Sequence, residues 1–295
     1  MKKGIVMALA ATFLLFTIAG CGGNKNEQGA DGGNGPSGPI NVISREDGSG
    51  TRGAFIELFD IEEKGADGKK VDNTIDSAEI TNNTSVMMTT VAGDPSAIGY
   101  ISLGSLNDSV KGLKIDGVAP SAETVKDGSY AISRPFNIAT KGDLSPLAKD
   151  FMAFILSKEG QDVVEKKGYI RVDDTGDFAG AKPAGKVVIG GSSSVTPVME
   201  ALAEAYKGVN PDADLIVQAT DSTTGMNAVL EGICEIGMAS RGLKDSERAE
   251  GLNPTVIALD GIVVAVNTKN PLEGLTRDQV KEIYTGVLTE WAEVK

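Results

Sequence analysis

Three clusters of glycine, serine and threonine could bind a small anion. They are Ser44–Arg52 (Ser-Arg-Glu-Asp-Gly-Ser-Gly-Thr-Arg), Gly190–Pro197 (Gly-Gly-Ser-Ser-Ser-Val-Thr-Pro) and Thr220–Gly225 (Thr-Asp-Ser-Thr-Thr-Gly). Hydroxyl and backbone N–H groups donate hydrogen bonds to an anion, and glycine lets the backbone approach it closely. Arg45 adds a positive charge to the first cluster. Together the clusters predict an anion-binding site.

Catalysis is disfavoured by the residues that the chain lacks. It has no histidine, and its two cysteines are Cys21 and Cys234. Ser-His-Asp and Cys-His catalysis are therefore excluded, and zinc or iron sites are disfavoured. The first cluster lacks the Walker A spacing, and Gly191–Ser194 does not match Gly-x-Ser-x-Gly. We predict a binding protein without cofactor or metal, and not an enzyme.

Each cluster is expected to join the end of a strand to the start of a helix. There the first helical N–H groups are unpaired and the helix dipole is positive. The predicted strands are Ile40–Ser44, Ala97–Ile101, Val187–Gly190, Leu215–Gln218 and Thr255–Val266. The predicted helices are Arg52–Phe59, Leu147–Lys166, Pro197–Lys207, Gly225–Glu231 and Arg277–Thr285. Their alternation predicts an α/β fold.

Residues 1–20 are predicted to be a lipoprotein signal peptide. Lys2 and Lys3 precede a short apolar run that ends in Ile-Ala-Gly before Cys21. Cys21 is expected to carry the lipid, and the polar residues 21–39 to form a flexible tether. The alternative is an ordinary signal peptide with a chance cysteine. The lipoprotein pattern predicts an extracytoplasmic protein anchored to the cell membrane.

The chain is acidic, with 41 acidic and 28 basic residues and a net charge of −13. Such a surface repels nucleic acid and anionic lipid headgroups, so no nucleic-acid partner is expected. A small anion is not excluded, because it responds to local donors. About 255 residues follow the tether, more than one core usually supports, so two domains are predicted. We expect a monomer.

The segment Ser44–Arg52 resembles the phosphate loop of the substrate-binding proteins of bacterial phosphate ABC importers, the PstS family. Other segments resemble further parts of that family, namely Gly191–Pro197, Gly237–Arg241, Ala258–Gly261 and Ser133–Phe136. The resemblance covers nearly all of residues 39–295. It implies a two-lobed periplasmic-binding-protein fold of type II, with a hinge and an anion site between the lobes.

The order of the segments departs from the family. Residues 40–172 resemble its second part and residues 186–295 its first, which indicates a circular permutation with the old ends joined by a linker at 173–185. A scrambled gene model is the alternative. By this resemblance, one lobe comprises residues 40–129 plus 267–295. The other is continuous over residues 130–266, with crossovers near Tyr130–Ile138 and Val263–Asn267.

The resemblance also implies the site residues. One lobe would offer Ser193, Ser194, Ser222 and Ser240, and the other Arg45, Asp47, Ser49, Gly50 and Thr51. Arg45 would contact the anion, and Asp47 would fix the Arg45 side chain. Many family members have an aspartate as hydrogen-bond acceptor where this chain has Ser240. The acceptor here could be Ser240, Asp47 or Asp260.

Three other arginines have simpler interpretations. Arg52 and Arg241 could contact the anion or form salt bridges at the rim of the cleft, and the rim is favoured for both. Arg134 is interpreted as a hinge or lobe contact.

The expected function is capture of inorganic phosphate and its delivery to the permease and ATPase subunits of an ABC importer. Two alternatives stay open. One is a receptor for another tetrahedral oxyanion, such as sulfate, molybdate or arsenate. The other is a surface lipoprotein for phosphate sensing or adhesion.

Overall fold

The computed structural model describes residues 38–65 and 70–294. Its strands are β1 (Asn41–Arg45), β2 (Glu62–Lys64), β3 (Lys70–Asp72), β4 (Glu79–Thr81), β5 (Ala97–Ser102), β6 (Val110–Gly112), β7 (Lys114–Ile115), β8 (Ser133–Thr140), β9 (Gly185–Ser192), β10 (Ala213–Thr220), β11 (Ile236–Ala239), β12 (Asn253–Asn267) and β13 (Gly274–Leu275). Its helices are α1 (Gly50–Leu58), α2 (Thr84–Gly93), α3 (Ala122–Lys126), α4 (Pro146–Leu156), α5 (Lys158–Lys166), α6 (Thr196–Val209), α7 (Ser222–Leu230), α8 (Asp245–Ala249) and α9 (Arg277–Tyr284). The alternation confirms the α/β prediction. The predicted signal peptide and Cys21 lie outside the described residues.

Most strands belong to one mixed sheet of order β10-β9-β11-β8-β12-β5-β1-β4, in which β6 also pairs with β12. Strands β9, β10 and β11 pair in parallel, and so do β1, β4 and β5. The two parallel sets run in opposite directions, because β12 is antiparallel to both β8 and β5 and β8 is antiparallel to β11. The carboxyl ends of both sets therefore point towards the middle of β12. The Gly, Ser and Thr clusters follow these ends.

Strand β12 spans 15 residues and changes neighbour part of the way along. Its residues 253–261 pair with β8, and its residues 262–266 pair with β5. The run Ile262–Val266 is completely buried, as expected of a strand that is covered on both faces. The change of neighbour falls between Gly261 and Ile262.

The hydrophobic core follows the same division. One cluster is built from residues between 40 and 132, Ile170, and residues between 262 and 294. The other clusters are built from residues between 136 and 258. The cores divide between residues 132 and 136 and between residues 258 and 262, so Ile262–Val266, which the prediction places in the second lobe, pack in the first core. The division into two lobes stays a prediction.

The single helix predicted over Leu147–Lys166 is wrong, because the structure has two helices that meet at Ser157. Ser157 is extended, with φ −70° and ψ 168°. Its hydroxyl donates to the carbonyl of Phe154 at 2.7 Å and accepts from the N–H of Gly160 at 3.2 Å. Serine offers the backbone this local alternative to helical hydrogen bonds, so one helix ends and the next is capped at the same residue.

The segment predicted as a linker, 173–185, packs against the α4–α6 layer. The N–H groups of Ala181 and Lys182 donate to the Asp150 carboxylate at 2.7 and 3.2 Å. Phe178 packs edge-on against Phe154, with ring centroids 5.3 Å apart. The last residue of the segment, Gly185, already belongs to β9.

The two ends of the described chain are hydrogen-bonded neighbours. Pro39 and Glu290 form an antiparallel bridge, the N–H of Ile40 donates to Thr289, and the N–H of Trp291 donates to Gly38. Gly38 and Pro39, the last two residues of the predicted tether, thus take part in these backbone contacts. Within the described ranges, no helix is both long and apolar enough to cross a membrane.

Candidate functional site

The amino termini of four helices meet at the middle of the sheet. Thr51 lies in the first turn of α1, Thr84 begins α2, Ser194 precedes α6 and Ser222 begins α7. Each helix start carries a partial positive charge and N–H groups without helical partners. Their convergence makes this point the most favourable position for a small anion among the residues described.

Buried hydroxyl groups connect these helix starts across the cleft. Thr51 Oγ1 lies 2.8 Å from Ser194 Oγ and 3.4 Å from Ser240 Oγ. Ser240 Oγ also accepts from Ser192 at 2.9 Å, and the Ser240 N–H donates to Ser222 Oγ at 3.1 Å. All five residues are less than 4% exposed. The structure therefore brings together the predicted residues Thr51, Ser194, Ser222 and Ser240.

Gly50 allows the two sides of the cleft to approach closely. A Cβ atom at this position would lie 2.3 Å from Ser222 Oγ and 2.8 Å from Ser240 Oγ. Any larger residue would displace these hydroxyl groups, so glycine is required here by the space. Gly50 thus lies inside the predicted cluster, as expected from the sequence.

Arg45 is the buried cation of the site, with 2% of its surface exposed. Its Nη2 donates to Ser193 Oγ at 3.2 Å, and its Nη1 lies 3.4 Å from Thr84 Oγ1. Its Nε and Nη2 donate to the two carboxylate oxygens of Glu46, both at 2.8 Å. One edge of the guanidinium group is thus held by a carboxylate, and its Nη atoms face hydroxyl groups of the site.

Asp47 does not contact Arg45, so the prediction that Asp47 fixes the Arg45 side chain is wrong. The Asp47 side chain is 96% exposed and pairs with Arg52 at 2.7 Å. Glu46 and Asp47 are consecutive residues whose side chains leave the chain in different directions, so only Glu46 reaches Arg45. Arg52 also donates to Asp72 and to the carbonyl of Arg45, which places it at the rim.

Ser49 is buried, and its hydroxyl caps α1. It accepts from the N–H of Arg52 at 3.3 Å. This cap fixes where α1 begins and so orients the N–H groups of Gly50 and Thr51. Among the residues that the structure describes, the Ser49 hydroxyl supports this loop and makes no hydrogen bond to the hydroxyl cluster.

Tyr100 supports the backbone on which Arg45 is mounted. Its hydroxyl accepts from the N–H of Arg45 at 3.0 Å and lies 2.9 Å from Ser44 Oγ. Burial raises the pKa of Tyr100 to about 12, so the hydroxyl keeps its proton at neutral pH. The ring stacks on Phe55 of α1, with centroids 3.9 Å apart. Strand β1, helix α1 and Arg45 are therefore held as one unit.

Sequence reasoning missed Thr84, and it included Ser192 and Glu46 in the clusters without assigning either a role. Thr84 lies 3.1 Å from Ser194 Oγ, and its N–H donates to Ser193 Oγ. The signal for Thr84 was present in the sequence, because Asn83 caps α2 directly after strand β4. That strand has only three residues, too few for a clear alternating pattern.

The other arginines pair with carboxylates outside the hydroxyl cluster. Arg241 forms a two-pronged pair with Glu247, at 2.7 and 2.9 Å, which places it at the rim. Arg134 donates to Asp260 at 3.1 Å where β12 changes neighbour, and Ser102 of β5 donates to the other oxygen of Asp260 at 2.8 Å. Burial raises the pKa of Asp260 to about 6, although Arg134 and Ser102 act in the opposite direction. Asp260 thus connects β12 to β5 and β8 at the crossover, and both of its carboxylate oxygens accept hydrogen bonds there.

Known proteins resemble the chain over its whole length. Residues 24–159 and 177–295 match the PBP superfamily domain, which confirms the predicted periplasmic-binding-protein-like fold. A phosphate-binding protein PstS 2 of Streptococcus agalactiae is 53% identical over 295 residues, covering 100% of this chain and 99% of that protein. Its counterpart in Streptococcus pneumoniae is 44% identical and is covered in full. The crystal structure of a phosphate-binding protein of a phosphate ABC transporter from Streptococcus pneumoniae superposes with a TM-score of 0.68 at 45% identity, covering 88% of this chain and 100% of that one.

The streptococcal relatives align with this chain from end to end, so they share its order of segments. The order is therefore not peculiar to this sequence, which disfavours a scrambled gene model. The circular permutation itself stays a prediction. The bridge between Pro39 and Glu290 is compatible with it, because ends that lie side by side can be joined by a short connection.

Proposed function

The chain belongs to the PstS family of phosphate-binding proteins, and we propose that it captures inorganic phosphate between two lobes and delivers it to the permease and ATPase subunits of an ABC importer. The family is one of transport proteins and not of enzymes. The observation that carries the proposal is the convergence of four helix starts and the buried Arg45 on one hydroxyl cluster.

In the proposed mechanism, phosphate lies among the hydroxyl groups of Thr51, Ser193, Ser194, Ser222 and Ser240, with the Arg45 guanidinium supplying charge-assisted hydrogen bonds. The Gly50 and Thr51 N–H groups at the start of α1 add donors and a favourable dipole. Closure of the lobes about the crossover strands β8 and β12 removes the anion from water. Opening at the importer then releases it.

The proposal is tested by calorimetric titration of the chain beginning at Gly22. We expect phosphate to bind with a 1:1 stoichiometry, and sulfate to bind at least about 10-fold more weakly, because a buried acceptor without a facing proton is costly. Equal affinity for both anions would favour the general oxyanion receptor. Absence of phosphate binding would overturn the proposal. It would also contradict the phosphate-sensing alternative, because phosphate could not then act as the signal.

We further propose that the protein is anchored outside the cytoplasm by a lipid on Cys21. The support is the sequence pattern of Lys2, Lys3, a short apolar run and small residues before the cysteine. Cys21→Ser is expected to move the protein from the membrane fraction to the soluble extracytoplasmic fraction. Cys234→Ser is the matched control, because that thiol is buried in the fold, and it should leave the protein with the membrane. Membrane association that survives Cys21→Ser would contradict the anchor.

A further inference from the structure

We infer that Glu46 is the residue that discriminates between anions, by accepting a hydrogen bond from the proton that phosphate carries and sulfate lacks. The inference rests on the proposed function. It begins from the two hydrogen bonds, both of 2.8 Å, by which Arg45 is joined to the Glu46 carboxylate. Through these contacts a carboxylate is held directly beside the cation of the site.

The other candidate acceptors are engaged elsewhere. Asp47 is 96% exposed on its side chain and pairs with Arg52 at the rim. Asp260 is completely buried between Arg134 and Ser102. Asp221 caps α7 and accepts from the Thr224 N–H at 2.8 Å. Among the described residues, Glu46 is the carboxylate that hydrogen-bonds Arg45.

Glu46 also lines a cleft together with Ser193, whose hydroxyl group Arg45 contacts. A cleft of about 620 Å³ is lined by Glu46 and Ser193 together, with Thr196 and Asp221 farther along its wall. Ser193 Oγ and Glu46 Oε1 lie 3.2 and 2.8 Å from the same atom, Arg45 Nη2. An anion oxygen that replaces or joins the Ser193 contact therefore comes within reach of Glu46 Oε1.

The chemistry of the two groups then decides which anion is accepted. A serine hydroxyl can turn to donate or to accept, so the Ser240 cluster adapts to either anion. An ionised carboxylate only accepts. A protonated phosphate oxygen can satisfy it, whereas each oxygen of sulfate presents lone pairs and is repelled. Each carboxylate oxygen has more than one lone-pair site, so Glu46 can hold Arg45 and accept this proton together.

The test compares Glu46→Gln with Asp47→Asn by calorimetric titration with phosphate, arsenate and sulfate. Each substitution removes one negative charge, and the two positions are adjacent in the sequence. In E46Q the preference for phosphate over sulfate is expected to fall at least about 10-fold, because the amide can donate to sulfate. Arsenate, which carries a proton as phosphate does, should follow phosphate. D47N should keep the wild-type preference.

The outcomes separate this inference from the proposed function. Equal weakening of phosphate and sulfate in E46Q would overturn it, because Glu46 would then only position Arg45. Wild-type affinity of E46Q for both anions would overturn it as well. If wild type binds no phosphate, the proposed function itself fails. Glu46→Asp keeps the charge on a shorter side chain and serves as a second variant, in which the preference should fall less than in E46Q.

Discussion

Arg45→Ala is expected to weaken phosphate binding by at least about 100-fold. Arg45 offers its Nη1 and Nη2 groups to the hydroxyl side of the site. Two charge-assisted hydrogen bonds contribute at least about 1.5 kcal/mol each. Their sum of about 3 kcal/mol corresponds to a factor of about 100 in the dissociation constant. The loss is increased because Glu46 would then face the anion without its partner. Calorimetric titration measures the change directly.

The matched control is Arg171→Ala, which removes the same charge from a surface network with Asp162 and Asp174, away from the cleft. It should bind phosphate as wild type does. Arg45→Lys should recover part of the affinity, because lysine keeps the charge and loses the planar fork. An affinity in R45A within about 10-fold of the wild-type value would contradict the assignment of Arg45 as the cation of the site.

Arg134→Ala is expected to lower the free energy of unfolding by about 3–5 kcal/mol, because it leaves the Asp260 charge buried without a cationic partner. Both side chains of the pair are at most 2% exposed. The pair is buried at the crossover of β12, so the effect should appear first in stability. Urea unfolding at neutral pH measures it.

The deficit of R134A should shrink as the pH falls. Burial already raises the pKa of Asp260 to about 6 in the presence of Arg134, against an ordinary value of 3.8. Without Arg134 the folded-state pKa rises further, so the folded variant binds a proton that the unfolded chain does not hold at the same pH. A raised pKa of the folded state gives stability that is present at low pH and lost as the pH rises through it. The difference from wild type should therefore be larger at pH 8 than at pH 5.

A neutral pair separates the charge from the packing. Arg134→Met combined with Asp260→Asn buries no charge, and it should cost less than Arg134→Ala alone. A cost below about 1 kcal/mol for R134A, or a deficit that grows as the pH falls, would show that the pair is solvated and does not act as a buried ion pair.

The elements of the site could be predicted from the sequence where local signals were strong. The residues around Ser194, Ser222 and Thr51 follow strands with clear apolar runs, and each leads into a helix. Their meeting point depends on the antiparallel arrangement of two parallel strand sets about β12. That arrangement depends on pairing between distant strands, so it came from the family resemblance and not from local pattern.

Other features depend on side-chain direction, which residue types do not encode. Glu46 and Asp47 are both carboxylates beside Arg45 in the sequence, and only the fold decides which of them reaches the guanidinium group. The break at Ser157 was hidden for a similar reason. The apolar pattern continues through α4 and α5, while one hydroxyl bond to Phe154 ends the first helix.

The length of β12 binds the two halves of the molecule into one cooperative unit. Ile257 and Ala258 pack in one core, and Ile262 to Val266 pack in the other. Neither core can melt without removing part of a strand from its neighbour, so partial unfolding of one half would be penalised in both. The amide hydrogens of Ile262–Val266 should therefore exchange with solvent only when the whole molecule unfolds. We therefore expect the proposed opening and closing of the lobes to proceed without unfolding of either core, because both cores require β12.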